Sequence, residues 1–269
     1  MATFVVHRFF QGVVALLVLT TIVFGMSRAT GDPRQVLLGP RATEADRIRI
    51  GEVLGLDRPM PEQFAIYLKD LLQGDMGRSL ISRSDVSELV AISLVSSLQL
   101  GLAAMLISLV IGGFLGVIAA AQRNRPAEKV VKFIALFGQS VPPFVAGILL
   151  IQVFAVWLNI LPSGLKGGIQ HLVLPSITLS FFGIAGVARL LHSSMLEVLD
   201  SEFIKFARAK GVSESVVIFK HALRNALLPV VGFSGLLLLQ LISFAFVVEV
   251  VFAWPGIGLL TFNAIINRD

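Results

Sequence analysis

The sequence contains no cysteine, and only 14% of its 269 residues are charged. The absence of cysteine excludes disulfides, thiol chemistry and cysteine-ligated metal sites. Soluble domains carry about 25% charged residues, whereas here 55% of the residues are hydrophobic and the mean hydropathy is +0.86. Because the apolar residues also fall in long runs, the sequence predicts an all-α, polytopic membrane protein.

The motifs of the common catalytic sites are missing as well. The sequence has no GxxxxGK[ST] phosphate loop, no HExxH and no GxSxG. Its four histidines are scattered without the spacing of metal ligands, and they are His7, His171, His192 and His221. We therefore predict no catalytic residues, no metal site and no cofactor on this chain, which is not an enzyme by itself.

Five apolar runs are near the ~20 residues that a helix needs to cross a bilayer. The predicted spans are 9–26, 94–121, 132–157, 172–191 and 229–252. The first run exceeds the 7–15 apolar residues of a signal-peptide core, so we expect it to be retained as a span. Glu249 is the main ionisable residue within the spans. Ion-coupled carriers usually bury carboxylates at mid-membrane, so this scarcity argues against coupling to an ion gradient.

The distribution of basic residues predicts the orientation in the membrane. With the N-terminus in the cytoplasm, two basic loops, 122–132 and 189–228, face the cytoplasm, whereas the short outer loop 158–171 has only Lys166. This arrangement follows the positive-inside rule. Because topology accounts for the net charge of +5, the basic surplus does not indicate nucleic-acid binding.

The long outer segment 27–93 has helix signals of its own. Thr43 can cap a helix over 44–54, and Pro61 suits the first turn of a helix that ends at Leu72, before Gly74. Short helices over a membrane mouth are compatible with a docking or gating surface. They are equally compatible with a structural lid.

The third span contains Pro142 and Pro143, which remove backbone hydrogen bonds and predict a kink within the membrane. Such a kink is tolerated where protein or a water-filled cavity satisfies the freed carbonyls. The kink and the nearby Gln139 therefore either line a pathway or fit neighbouring helices. Gly112 and Gly116 on the second span form a small-xxx-small pattern, which predicts close helix packing.

A short basic segment, EFIKFARAKGVSESVVIFKHALRNALLPV at 202–230, separates the last two spans. Asp200 or Ser201 can cap a helix over 202–210, and Gly211 suits a left-handed stop. Ser213 can cap a second helix over 214–226, on which Val216, Phe219 and Leu223 share one face, and Pro229 suits the first turn of the next span. The pattern is compatible with a DNA-binding helix-turn-helix, a lipid-bound hairpin or a knob for a partner's groove, and by itself it favours the lipid-bound hairpin.

Several stretches in order resemble one protein family: ARAKG at 207–211, KHALRNALLP at 220–229, LGLDRPMPEQF at 54–64, GDMGRSL at 74–80, QSVPPF at 139–144 and EVVFAWPGIG at 249–258. They are similar to permease subunits of binding-protein-dependent ABC importers, in the dipeptide, oligopeptide and nickel branch. The family's generic cytoplasmic loop begins Glu-Ala-Ala. This chain has Lys205, Phe206 and Ala207 there, a departure that resembles the peptide branch.

The resemblance implies a type I ABC importer permease fold, with 1–269 as a single transmembrane domain in the bacterial inner membrane. It makes 27–93 the extracytoplasmic loop and 192–228 the cytoplasmic coupling loop. It also implies a second, paralogous permease subunit, an extracytoplasmic binding protein, and two ATPase subunits that carry ATP and Mg²⁺ and dock on 202–228. The docking residues that it implies are Glu202, Ala207, Arg208, Ala209, Lys210, Gly211, His221, Arg224, Asn225 and Pro229.

The resemblance leaves the transported solute open among peptides, nickel chelates, glutathione and related solutes. Family members usually continue into a sixth span, whereas this sequence stops at Asp269 after five. That difference keeps a second class of function open, a membrane scaffold or assembly subunit without its own pathway. A stand-alone channel or secondary carrier ranks third.

Overall fold

The computed structural model describes residues 2–29, 34, 38, 43–53, 55–267 and 269. Within these residues the chain is helical, and its only β-structure is an isolated bridge between Arg78 and Asp85. The chain divides into two compact units, residues 1–91 with 261–269 and residues 92–260. The predicted all-α class is confirmed.

The first unit contains α1, Ala2–Ala29, and the short helices of the outer segment. Helix α2, Glu44–Val53, begins directly after Thr43, and α3 spans Met60–Leu72, both close to the predicted bounds. The predicted last residue of α2, Leu54, lies outside the described residues. Gly74 follows α3 with φ +82, the left-handed conformation predicted for a helix stop. On α1, the Phe24 ring lies 5.2 Å from that of Phe64 and 5.7 Å from that of Tyr67.

The turn over residues 74–85 binds the side-chain carboxylate of Asp269. Asp269 accepts hydrogen bonds from the Ser79 hydroxyl and from the backbone N–H of Leu80. Arg78 pairs with Asp85 at 2.9 Å across the same turn. The GDMGRSL stretch is therefore an ordered turn rather than an irregular linker.

Long apolar helices build the second unit. They are α4, Val86–Ala121, which starts in the first unit; α5, Pro126–Ser140; α6, Pro143–Trp157; and α7, Ile169–Leu199. Helix α8, Glu202–Ala209, then leads to α9, Glu214–Val251, and α10 covers Ile257–Asn267. By length and composition, four of the described helices could cross a membrane, or five if α5 and α6 form one bent span.

The predicted kink in the third span is a complete break. Helix α5 ends at Ser140, Val141 and Pro142 have extended backbones, and α6 begins at Pro143 with its axis turned by 100°. Together α5 and α6 cover the predicted span 132–157, and they could form one bent span. Each proline disfavours helical geometry in the residue before it, so two consecutive prolines leave Val141 and Pro142 outside either helix.

The sequence predicts Pro229 in the first turn of the fifth span, but the structure does not place it there. It lies inside α9, which runs without interruption from Glu214 to Val251. The predicted end of the coupling-loop helix at residue 226 was wrong for the same reason. Ala226 and Val230, which flank the proline in sequence, are buried, and membrane helices tolerate the backbone hydrogen bond that a proline removes.

The core of the second unit lies where α4, α7 and α9 meet, and its fully buried members include Leu100, Val187, Leu237 and Leu241. The predicted glycine packing is confirmed there. A Cβ on Gly112 would lie 2.7 Å from the Ile184 carbonyl oxygen, and one on Gly116 would lie 2.8 Å from that of Ala188. The two helices approach so closely because these positions have no side chain.

Glu249 ties the end of α9 to α4 and α10. Its side chain is fully buried and accepts hydrogen bonds from the Ser97 hydroxyl at 2.6 Å and from the backbone N–H of Gly258 at 2.7 Å. Leu259 N–H donates to the same carboxylate at 3.2 Å. A carboxylate at a helix N-terminus satisfies unpaired N–H groups and interacts favourably with the helix dipole. The one ionisable residue singled out within the spans is therefore a buried cap.

Candidate functional site

The segment between α7 and α9 forms a helix, a glycine turn and a second helix. Ser201 occupies the N-cap position of α8, but its hydroxyl donates to the Val198 carbonyl rather than to the helix N-terminus. Gly211 has φ +79, which confirms the predicted left-handed turn. Its N–H donates to the Arg208 carbonyl at 2.9 Å, and Val212 N–H donates to that of Ala207. These bonds end α8 and reverse the chain.

An ion pair clamps the two sides of the turn. Arg208 donates from Nη2 to Glu214 Oε1 at 2.6 Å and from Nε to Oε2 at 3.1 Å. These hydrogen bonds raise the pKa of the Arg208 guanidinium above its ordinary value. On α8, a hydrogen bond from Lys205 Nζ to Glu202 at 2.8 Å raises the pKa of the lysine in the same way. A bidentate arginine–carboxylate pair fixes geometry as well as charge.

The apolar face predicted for the second helix, with Val216, Phe219 and Leu223, is not the fully buried face of the segment. Ile204, Val217 and Ala222 are fully buried and join the core, whereas Val216 and Phe219 are exposed. The reason is a π-helical stretch, Val217–Ala222, at the start of α9. Its i→i+5 hydrogen bonds place residues five apart on one face, so a pattern read with the α-helical period selects the wrong side chains.

Exposed phenylalanines mark the opposite surface. The exposed fractions are 61% for Phe206 and 63% for Phe219, and Phe203 is 48% exposed. Lys210 Nζ lies 4.5 Å from the centroid of the Phe206 ring, a cation–π distance. Neither Phe203 nor Phe206 could be predicted to be part of this surface, because an amphipathic pattern assigns phenylalanine to the buried face.

The residues implied by the family resemblance lie mostly on the exposed side of this segment. Ala207 and His221 are half-buried, and the others are exposed: Glu202, Arg208, Ala209, Lys210, Gly211, Arg224, Asn225 and Pro229. Asn225 Nδ2 donates to the His221 carbonyl at 2.8 Å, so this amide has a local structural contact. The segment thus presents a basic, partly aromatic surface on a buried hydrophobic base.

The segment is also joined to the neighbouring helix end. Arg123, just beyond α4, donates to both carboxylate oxygens of Asp200 at 2.8 and 2.9 Å. Beside it, Glu128 accepts the backbone N–H of Asn124 and the ammonium of Lys132, each at 2.6 Å. Polar contacts therefore fix both ends of the loop between α4 and α5.

The predicted pathway residues lie at the break between α5 and α6. Gln139 precedes the break and accepts a hydrogen bond from Arg189 Nη2 on α7 at 2.8 Å. Pro142 and Pro143 form the break itself. Their role in lining a pathway stays a prediction. Over the described part of the chain, no group of three His, Asp or Glu side chains has the geometry of a metal site.

The family of the chain follows from its similarity to known proteins. Residues 112–269 match the family described as "Binding-protein-dependent transport system inner membrane component", and residues 1–90 match its N-terminal component. The chain belongs to this family. It is therefore a multi-pass permease subunit of a binding-protein-dependent ABC importer, and the scaffold alternative is not favoured.

Curated relatives of the permease agree along its whole length. The glutathione transport system permease proteins GsiC of Escherichia coli strain K12 and Salmonella choleraesuis are each 38% identical over 270 residues. The alignments cover 100% of this chain and 88% of each relative. This similarity confirms the resemblance to the peptide and nickel branch.

Solved structures extend the agreement to the fold. Two inward-facing structures of the MetNI methionine ABC transporter, the native crystal form and a selenomethionine-soaked form, align with a TM-score of 0.57 at 19% and 20% identity. Each alignment covers 66% of the permease and 81% of the MetNI chain. The predicted type I permease fold is thus confirmed.

Proposed function

We propose that the permease imports a small peptide or a solute of similar size, and that partner ATPases drive it through the 202–228 segment. Here the whole chain acts as one permease domain, 27–93 faces the binding protein, and the N-terminus is cytoplasmic. A second permease subunit completes the pathway, and ATP and Mg²⁺ bind to the ATPase subunits. The similarity to glutathione permeases supports a peptide of about the size of glutathione as the solute.

One structural observation carries the docking proposal. The segment has a buried base, formed by Ile204, Val217 and Ala222, and an exposed surface around Phe206 and Phe219. Its second helix is also the start of α9, so it is continuous with a membrane-crossing helix. A partner that moves this surface therefore moves a transmembrane helix directly, which is what alternating access requires.

Substitution of Gly211 tests the docking role. A Cβ at Gly211 would have no atom within 4 Å, and the residue has φ +79. Val at this position therefore changes only the backbone preference, since β-branched residues resist positive φ. We expect Gly211→Val in the assembled transporter to reduce solute uptake at least tenfold and to weaken ATPase association, while membrane insertion is retained.

Gly211→Asn is the matched control, because asparagine adopts the left-handed region more readily than other non-glycine residues. It should retain most of the uptake. Equal uptake by Gly211→Val and the wild type would refute the docking turn. The solute is tested separately, by competition of unlabelled glutathione, dipeptides and a nickel chelate against labelled glutathione in vesicles that contain the complete transporter.

A further inference from the structure

The turn over residues 74–85 is organised around Ser79. The hydroxyl oxygen of this serine accepts the N–H of Ser82 at 3.0 Å, and its carbonyl oxygen accepts the N–H of Arg83 at 3.0 Å. Its own N–H donates to the Ser84 carbonyl, also at 3.0 Å. Ser79 is only 6% exposed. One buried serine therefore determines the path of the residues that follow it.

Asp269 fixes this serine from a distant part of the sequence. Its carboxylate accepts the Ser79 hydroxyl on one oxygen and the Leu80 N–H on the other. Its own N–H donates to the Ala264 carbonyl at 2.9 Å, which attaches the residue to α10. Hydrogen bonds to an ionised acceptor are roughly twice as strong as those between neutral groups. Asp269 therefore holds Ser79 in place, and with it the turn.

Arg83 is the residue that the turn presents. It has φ +58, a conformation that is uncommon for residues other than glycine and that persists only where the surrounding structure fixes it. Its side chain is exposed, and it has no acidic partner in the part of the chain that the structure describes. Arg78 on the same turn, by contrast, pairs with Asp85 at 2.9 Å. The guanidinium of Arg83 is therefore available to an acidic group of another molecule.

Exposed apolar side chains accompany Arg83 on the same turn. Met76 is 46% exposed and Ile81 is 54% exposed. Arginine and methionine are enriched in protein–protein interfaces, and arginine is among the residues that contribute most of their binding energy. The turn therefore suits a protein surface that carries an acidic side chain among apolar ones.

We propose that Arg83 binds an acidic side chain of the extracytoplasmic binding protein, and that Asp269 is the positioning residue for this contact. Asp269 acts through Ser79, because the Ser79 carbonyl bonds the N–H of Arg83. The family is that of binding-protein-dependent transport systems, which supports a binding protein as the partner. The inference rests on the proposed function in one respect, namely that 27–93 faces this partner.

The test measures the affinity of the solute-loaded binding protein for the complete transporter in nanodiscs. We expect Arg83→Gln and Asp269→Ala each to weaken binding about fivefold, the effect of losing one charge pair at an interface. Lys69→Gln is the matched control, because Lys69 on α3 is exposed and has no acidic partner among the described residues. Its loss should leave the affinity unchanged. A loss for Lys69→Gln equal to that for Arg83→Gln would overturn the contact, since the effect would then be general surface charge.

The double variant distinguishes a positioning role of Asp269 from a second contact with the partner. If Asp269 acts through Arg83, combining Arg83→Gln with Asp269→Ala should weaken binding no more than either change alone, because residues that act together are not additive. Normal affinity of Asp269→Ala, or additive losses of about 25-fold, would overturn the positioning role. Arg83→Gln replaces an exposed side chain and should leave folding intact, so the contact is tested even where Asp269→Ala does not fold.

A photoreactive side chain at Met76 distinguishes failure of this inference from failure of the proposed function. It should cross-link to the binding protein in the otherwise unaltered transporter. Absence of that cross-link would contradict the proposed orientation of 27–93, and this inference with it. A cross-link at Met76 together with unchanged affinity of Arg83→Gln would overturn this inference alone.

Discussion

Arg208 and Glu214 face each other across the Gly211 turn and share two nearly parallel hydrogen bonds, of 2.6 and 3.1 Å. The pair joins the last turn of α8 to the first turn of α9. Because both side chains are partly exposed, the pair contributes little to global stability, typically below about 1 kcal/mol. Its role is therefore to fix the angle at which the two helices present their surface.

The defect caused by reversing the charge of Arg208 should be rescued by also reversing the charge of Glu214. We expect Arg208→Glu to lower solute uptake severalfold, because two carboxylates would repel each other across the turn. Combining it with Glu214→Arg restores the attraction and should restore most of the uptake. The measurement is initial uptake rate in vesicles of the complete transporter. A double variant as defective as Arg208→Glu alone would mean that Arg208 acts on the partner directly rather than through the turn.

The exposed phenylalanines should matter for assembly more than for folding. Phe219→Ser removes an apolar side chain that is 63% exposed, so we expect an unfolding temperature within about 2 °C of the wild type but weaker co-purification of the ATPase. Ile204→Ser is the contrasting variant. Ile204 is fully buried, and we expect its replacement to lower the unfolding temperature clearly. Unchanged ATPase co-purification with Phe219→Ser would remove this ring from the docking surface.

The glycines of α4 allow a matched test of helix packing. Gly112→Ala and Gly116→Ala would each place a methyl group within 2.9 Å of a backbone carbonyl oxygen of α7, whereas the nearest atom to a Cβ at Gly113 lies at 3.9 Å. Overpacking costs about 1–3 kcal/mol. We expect the first two variants to lower thermal stability in detergent and Gly113→Ala to leave it unchanged. Three equal melting temperatures would contradict the close approach.

Glu249 should be intolerant of an apolar substitution. Glu249→Leu would leave the Ser97 hydroxyl and the N–H groups of Gly258 and Leu259 without their acceptor. Each buried group left unsatisfied costs about 1–3 kcal/mol. We expect a large loss of thermal stability, and a smaller one for Glu249→Gln, which retains one carbonyl acceptor. Thermal unfolding of the purified transporter, followed by scanning calorimetry, compares the two.

The sequence predicted the positions of the spans better than their ends. Long apolar runs determine where a helix can cross a membrane, so α1, α4 and α7 enclose the predicted ranges. Pro229 is different, because a proline fits both the first turn and a tolerated interior position. The residue pattern around Pro229 does not distinguish between these two positions.

Parts of the candidate site depended on contacts between distant residues. Gly211 could be predicted because its left-handed conformation is a local property of the turn. The Glu249–Ser97 hydrogen bond joins residues 152 positions apart, so no local pattern could predict it. The π-helical register of Val217–Ala222 likewise could not be predicted, because hydrophobic periodicity assumes a regular α-helix.

The continuity of α9 makes it a lever arm. Its 38 residues correspond to about 57 Å at 1.5 Å per residue, so rotating it by about 10° around one end would displace the other end by about 10 Å. One end of this lever carries Phe219, and the other end carries Glu249, which accepts hydrogen bonds from Ser97 and from the start of α10. If an ATPase docks at Phe219 as proposed, a small displacement there would shift the hydrogen-bonded contacts of Glu249 at the other end of the helix.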